Sequence, residues 1–367
     1  SLAIATQTGP EVNTLLLLSN MYPDETHPTK GVFVRNAEQQ LIAAGLNVNR
    51  VVLRNTPANS RLTKLWAYLT FTMAAIARLM RNTNPVYVHY VAHTGLPLIL
   101  AHAFRAQTVI AHAHGGDVIA APHESPLTQS VKHFLSSRVL SMAKTVIVPS
   151  QFLASRLTND FGVPDDKIII IPSGGVDTQV FHYRKRLFKG KDDTLRVGYV
   201  GRIDRGKGVD TLIHALNACK APVQCTIAGT GNANDSIREL IADLQLNKQI
   251  AMLGSCEQRQ LGDIYRQLDF LIFPSELEES LGLVGLESMA CGTPVIGSRK
   301  GGMAEYIIDD VNGLGFAPGS AQSLCEAITS AYKMPSEKYV MMSSSAYQTS
   351  KAYDATHCAQ RLLKVFL

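Results

Sequence analysis

Long apolar runs are missing from this sequence. No stretch reaches the roughly 18 apolar residues that a helix needs to cross a bilayer, and the nearest, residues 65–79, is short and broken by threonines. The opening SLAIATQTGPEVN has neither the basic start nor the full apolar segment of a signal peptide. The native start is expected to be trimmed or tagged ahead of Ser1. The six cysteines (Cys219, Cys225, Cys256, Cys291, Cys325 and Cys358) form no CxxC pair, and no histidine cluster joins them at zinc spacing. They read as buried free thiols in a reducing compartment. Neither the GxxxxGK[ST] loop of P-loop proteins nor GxGxxG occurs, no DxD-type metal site is obvious, and no short repeat is visible.

What remains is a chain of 367 residues with 46% hydrophobic and 18% charged residues. That is enough for two domains, each with a core of its own, and it excludes a disordered chain. The charge is uneven. Residues 1–175 carry 14 Lys and Arg against 9 Asp and Glu, whereas residues 176–367 carry 21 of each. A basic first half suits a surface facing anionic lipid or an acidic substrate, although +5 is also ordinary for a domain of this size.

Two passes of alternating strand and helix follow one another. The first runs from TLLLLSN (residues 14–20) through a polar loop to a helix over 32–44 closed by Gly45. NVNRVVL, VYVHYV, TVIAHAHG and TVIVPS read as further strands, and a long helix covers about 62–81. The second pass begins at LRVGYVGRID and continues through VQCTIAGTG, IAMLGS, DFLIFPS and TPVIGS. These strands show little polar alternation, as expected of parallel sheets covered on both faces. The fold class is therefore α/β, with two Rossmann-like, doubly wound parallel-sheet domains whose strand ends face a central cleft. Domains are expected at 1–175 and 176–350, with the boundary near IIIIPSGGVDTQVF and a charged linker at HYRKRLFKGKDD. The helix over 62–81 has an apolar stripe at Leu62, Leu65, Leu69, Ile76 and Met80 and basic ends. Such a stripe ordinarily faces its own core, and membrane contact is the alternative.

Ligands of doubly wound sheets bind beyond the carboxyl ends of strands, and the chemically distinctive residues follow strands. In VGYVGRIDRGKGVDTLIHAL, Arg202 and Lys207 lie among glycines that let backbone N–H groups approach closely, just before a helix start. Two cations there would bind a diphosphate and stabilise it as a leaving group; the alternative is a solvated turn. TIAGTGN is a second glycine turn, through Gly229. In PSELEESLGLVGLESMACGTPVIG, Glu279 and Glu287 stand eight residues apart in an otherwise apolar segment. Glu279 falls in the loop after a strand, and Glu287 falls on a helix over 283–290. Carboxylates accept hydrogen bonds from vicinal hydroxyls, so the pair would hold two polyol rings, one of a nucleotide and one of a sugar. A plain helix-terminal charge and a surface residue are the alternative.

GRIDRGKGVDTLIHAL, IAGTGN, FPSELEESLGLVGLESMACGTPVIGSRKGG and GGMAEYI together resemble the retaining nucleotide-sugar glycosyltransferases of family 4, with the GT-B fold and an E-x7-E signature at Glu279 and Glu287. The resemblance implies that Arg202 and Lys207 hold the donor diphosphate in place of a metal ion, that Glu287 binds the ribose and that Glu279 binds the donor sugar. It places backbone N–H groups near Leu283 and Val284 on the phosphates, and the base near Gly254 and Ser255. AHAHGGDV resembles the family's HGxD segment, with His114 beside the reacting sugar and Asp117 on a sugar or acceptor hydroxyl. The alternatives are a packed histidine and a turn aspartate. His89 and His112 read as structural, while His27 and His93 stay open. Gly31 occupies the family's glycine loop, with one glycine where two are common. The final helix, over 351–367, would return to the first domain.

The expected activity is retaining, hexosyl-type transfer to an acceptor hydroxyl, in polysaccharide, glycolipid or other glycoconjugate synthesis, with no cofactor or metal. The expected partners are the nucleotide-diphosphate sugar, a sugar or lipid-linked acceptor and a peripheral membrane, with no nucleic acid. The expected location is the cytoplasm, at the inner membrane face. A phosphorylase, a nucleotide-sugar epimerase and a non-catalytic nucleotide-sugar-binding protein are the alternatives.

Overall fold

The computed structural model describes residues 14–24, 30–53, 61–120, 124–185 and 194–367. His27, the opening segment and most of the charged linker lie outside them. Two compact units divide the chain: Ser1–Gly174 with Cys358–Leu367, and Gly175–His357.

The first unit is built on a six-stranded sheet. Its strands are β1 (Thr14–Ser19), β2 (Asn47–Val52), β3 (Val86–His89), β4 (Val109–His112), β5 (Ala143–Val148) and β6 (Ile168–Ile170), in the order β2-β1-β3-β4-β5-β6. All pairings are parallel. The apolar run of β1 is used on both faces. Leu16 and Leu18 join the core formed with α2 (Arg61–Arg81), α3 (Val91–Phe104), α4 (Pro126–Met142) and α5 (Gln151–Phe161), while Leu15 and Leu17 join the core formed with α1 (Val32–Ala43). A strand covered on both sides has no reason to alternate. The direction of strand order reverses between β1 and β3, which leaves their loops side by side at the switch point.

The second unit repeats the plan. Its strands β7 (Leu195–Val200), β8 (Val223–Ala228), β9 (Ile250–Gly254), β10 (Phe270–Phe273), β11 (Val295–Ser298) and β12 (Gly313–Phe316) stand in the order β12-β11-β10-β7-β8-β9. All are parallel. The helices are α6 (Val209–Ala218), α7 (Asn234–Asp243), α8 (Gln258–Gln267), α9 (Leu283–Ala290), α10 (Ala321–Tyr332) and α11 (Ser336–Ser350). The reversal here falls between β7 and β10, the two strands whose following loops carry Lys207 and Glu279.

The last helix, α12 (Ala355–Leu363), spans the division at His357. Cys358, Leu362 and Phe366 are buried in the first unit's core, where the Phe366 ring meets Tyr87 edge-on at 5.0 Å. The Arg361 guanidinium donates to the Ile170 carbonyl.

Three expectations need correction. The strand expected through Val91 stops at His89; Tyr90 takes a left-handed conformation (φ 59°) and α3 begins at Val91. Three of the six free cysteines (Cys219, Cys256 and Cys325) are only partly buried. The α2 stripe does not face the core. Leu62, Leu65, Leu69 and Met80 are exposed, while Phe71, Ala75 and Leu79 are buried. These three recur every four residues and so make one face. Among the described residues, no helix is long and apolar enough to cross a membrane.

The register of α2 is testable. Leu79→Ala should destabilise the protein by about 2–5 kcal/mol, and Leu65→Ala by no more than about 0.5 kcal/mol, in urea denaturation. Equal losses would mean the helix is rotated.

Candidate functional site

At the switch point of the second unit, glycines let backbone segments touch. Gly229 donates its N–H to the Gly254 carbonyl at 2.7 Å, and a Cβ on Gly229 would lie 1.8 Å from the Gly201 carbonyl oxygen. The turns after β7, β8 and β9 are thus in direct contact, and two of the expected residues, Gly229 and Gly254, meet. Ser255, next along, is exposed. Gly208 caps α6 in the left-handed region (φ 72°), where a Cβ would sit 2.0 Å from the Pro274 carbonyl oxygen. Only glycine allows that approach. The Glu276 N–H donates to the Gly206 carbonyl at 2.9 Å, which fastens the β7–α6 turn to the loop after β10.

This fastening brings the Lys207 ammonium to 2.6 Å from Glu279, with both side chains largely buried (17% and 18% exposed). Ser275 Oγ donates to the same Glu279 oxygen at 2.7 Å. The Glu279 main chain is held as well, since its carbonyl accepts from Gly302 N–H at 2.7 Å. The segment GGMAEYI therefore supports this loop. Helices α6 and α9 both start at left-handed glycines, Gly208 and Gly282, and neither has a side-chain cap. Their first-turn N–H groups, including the region of Leu283 and Val284, form the positive end of each helix. A cation, a carboxylate and two uncapped helix starts lie at one switch point, an arrangement able to hold an anion beside a polyol.

Arg202 stands apart from the expected pair of cations. It bonds Asp204 at 2.9 Å and its side chain is 75% exposed. Asp204 in turn accepts from Asn232 N–H at 2.9 Å, and Tyr199 donates to the Arg202 carbonyl at 2.6 Å. The main chain at Arg202 is anchored while the guanidinium is at the surface.

Glu287 lies on α9 and accepts from the Tyr265 hydroxyl at 3.0 Å. Burial raises its carboxyl from 4.5 to about 7, and the Tyr265 hydrogen bond offsets only part of that. Burial and the neighbouring Glu287 push the Tyr265 hydroxyl well above its usual range, so it remains a donor. Tyr265, Ser275 and Asp204 were not singled out from the sequence. Ser275 adjoins the strand end, but nothing local marks Tyr265, which belongs to a different helix.

In the first unit, Gly31 adopts φ 74° at the start of α1, and a Cβ there would meet the Met21 carbonyl carbon at 2.8 Å. Phe33 packs on His114 with ring centroids 4.4 Å apart. The Gly31 turn and His114 are therefore neighbours. His114 belongs to a hydrogen-bonded chain. Tyr87 Oη meets His112 Nδ1 at 2.7 Å, His112 Nε2 meets Ser173 Oγ at 3.1 Å, Ser173 Oγ meets His114 Nδ1 at 3.4 Å, and His114 Nε2 meets His89 Nδ1 at 2.9 Å. Burial lowers all three histidines, His112 to about 3, so the rings are neutral at ordinary pH. Ligand nitrogens of the three lie within 4.8 Å of one another. The closest two, His114 Nε2 and His89 Nδ1, are joined by the hydrogen bond above, their rings inclined by only 12°.

Asp117 lies in the loop after β4. It is fully buried, and its two oxygens accept from Val91 N–H and His114 N–H, both at 2.9 Å. With each oxygen accepting from a main-chain amide, it braces the loop.

Two family models match the chain: "Glycosyl transferases group 1" over residues 183–349 and "Glycosyltransferase Family 4" over residues 27–180. A D-inositol 3-phosphate glycosyltransferase of Pseudarthrobacter chlorophenolicus is 31% identical over 216 residues, covering 56% of this chain and 51% of that protein. The matched region spans about half the length of such curated relatives. Sucrose-phosphate synthase from Thermosynechococcus elongatus has a TM-score of 0.80 at 21% identity, over 96% of this chain and 98% of that one. HepE from Anabaena, solved with UDP and glucose, has a TM-score of 0.72 at 19% identity, over 96% and 98%.

The Glu287 carboxyl makes stability depend on pH. Its folded value, about 7, lies above 4.5, so the folded state retains a proton that the unfolded chain releases. The stability it contributes is complete below about 4.5 and is lost as pH rises through about 7. Glu287→Gln should remove this falling limb from a plot of melting temperature against pH. An unchanged limb would assign the titration to another group.

Proposed function

The chain belongs to the family 4 glycosyltransferases of the GT-B fold, and from that footing we propose that it transfers a sugar from a nucleotide-diphosphate donor to an acceptor hydroxyl with retention of anomeric configuration. The observation that carries the reading is the Lys207–Glu279 pair at 2.6 Å, set between two uncapped helix starts at the switch point.

The pair suits an exchange of partners. A diphosphate presents more negative charge to Lys207 than one carboxylate does, and sugar hydroxyls can donate to Glu279 once its cation has turned away. Lys207 and the first-turn N–H groups of α6 and α9 then stabilise the charge that grows on the departing diphosphate. Arg202, exposed and anchored through its main chain, is free to rotate from Asp204 onto the same phosphates. The bond from the anomeric carbon to the diphosphate oxygen breaks. The bond to the acceptor oxygen forms on the same face, and the acceptor proton passes to a departing phosphate oxygen. No protein carboxylate is needed as a covalent nucleophile. Glu287, pre-set by Tyr265, accepts from the ribose hydroxyls. In the first unit, neutral His114 is held by Ser173 and His89, and the Gly31 turn lies beside it. The acceptor class assigned here is a saccharide or lipid-linked precursor of a glycoconjugate.

Lys207→Ala should lower kcat by about 10²–10³-fold while leaving the melting temperature nearly unchanged. The assay is transfer from a panel of nucleotide sugars, with the new linkage read by NMR. Full activity in the variant would dismiss the phosphate role, and an inverted linkage would dismiss the same-face route.

A further inference from the structure

The outer surface of the first unit has a face that its own fold leaves uncovered. Helices α2, α3 and α4 lie side by side on one side of the sheet, and α2 buries Phe71, Ala75 and Leu79 against it. Its opposite face is also apolar: Leu65 is 65% exposed, Trp66 64% and Met73 65%. Leu127 and Phe134 of α4 continue the surface, at 74% and 56%. An apolar groove of about 630 Å³ runs among the three helices, with Leu65, Leu96 and Leu127 in its walls. Scattered exposed apolar residues are normal, but a contiguous apolar surface marks a binding face.

The charges on these helices are of one sign. Not one Asp or Glu occurs in α2, α3 or α4, whereas Arg81 at the end of α2 and Arg138, four residues beyond Phe134 on α4, are exposed. We propose that this face docks on an anionic lipid bilayer, with the apolar residues entering the headgroup–acyl boundary and the cations lying over the headgroups. A second copy of the chain is a poorer occupant. Two-fold pairing sets a patch against itself and would bring exposed cations onto cations, since the acid in the groove wall, Glu124, is already paired with Lys132 at 3.0 Å. The docking does not depend on the proposed transfer reaction.

Trp66 is the chain's only tryptophan, and it reports on this face directly. The full chain is mixed, without nucleotide sugar, with vesicles of phosphatidylcholine alone or with added phosphatidylglycerol. The expected result is flotation with the anionic vesicles, a shift of Trp66 emission to shorter wavelength, and binding that weakens about tenfold or more as salt rises from about 0.1 to about 0.5 M. Leu65→Glu combined with Met73→Glu should abolish both signals, and both sites are exposed enough to keep the fold. Arg81→Glu combined with Arg138→Glu should remove the preference for anionic lipid. Lys207→Ala should bind as the parent does, which separates failure here from failure of the transferase reading. The proposal is overturned by absent flotation, by equal salt-insensitive binding to neutral vesicles, or by concentration-dependent self-association that buries Trp66 without lipid.

Discussion

A lysine and a glutamate 72 residues apart meet at 2.6 Å, and much of the second unit can be read as the means of that meeting. The pair exists because β7 and β10 are neighbours in a parallel sheet, so their loops leave from the same edge. Contact at that edge requires main chain against main chain. Gly208 provides it against Pro274, and Gly229 does the same against Gly201. A Cβ at either point would push the loops apart by more than a hydrogen bond tolerates. The ion pair is thus a consequence of glycine placement as much as of charge. Its own worth as a stabilising contact is small, because the lost hydration of a largely buried pair offsets most of its attraction. Its value lies in holding both groups ready to change partners.

The first unit solves a related problem with neutral groups. His89, His112 and His114 end or follow adjacent strands, and each is buried enough to lose its charge. What orders them is hydrogen bonding, through Tyr87 at one end and Ser173 in the middle. Asp117 completes the arrangement from below by tying the His114 loop to the start of α3. A buried carboxylate with two main-chain donors is a rigid bracket, which explains why an acidic residue is tolerated in so apolar a place. The same glycine logic recurs at Gly31, where the turn packs against Met21 and Tyr22.

Helix α2 is apolar on two faces, of which the sheet covers one. Its core face is narrow and made of Phe71, Ala75 and Leu79; its outer face carries larger apolar residues flanked by cations. That outer face is the surface the proposed docking would use.

The sequence by itself determined the alternation of apolar strands and helices, hence two doubly wound parallel sheets, because strands covered on both faces cannot hide their composition. It also determined the Glu279–Glu287 spacing, the α9 helix between Gly282 and Gly292, and the cationic turn at Lys207, because these are local patterns of glycine, charge and apolar residues. Tertiary structure alone decided the partners. Tyr265 reaches Glu287 from another helix, Ser275 shares Glu279 with Lys207, and Arg202 turns to Asp204 and away from the expected cation pair. It also decided which apolar face of α2 is inside. Both faces have helical periodicity, and periodicity states only that faces exist; which one the sheet covers depends on how the helix is rotated against strands far away in the chain.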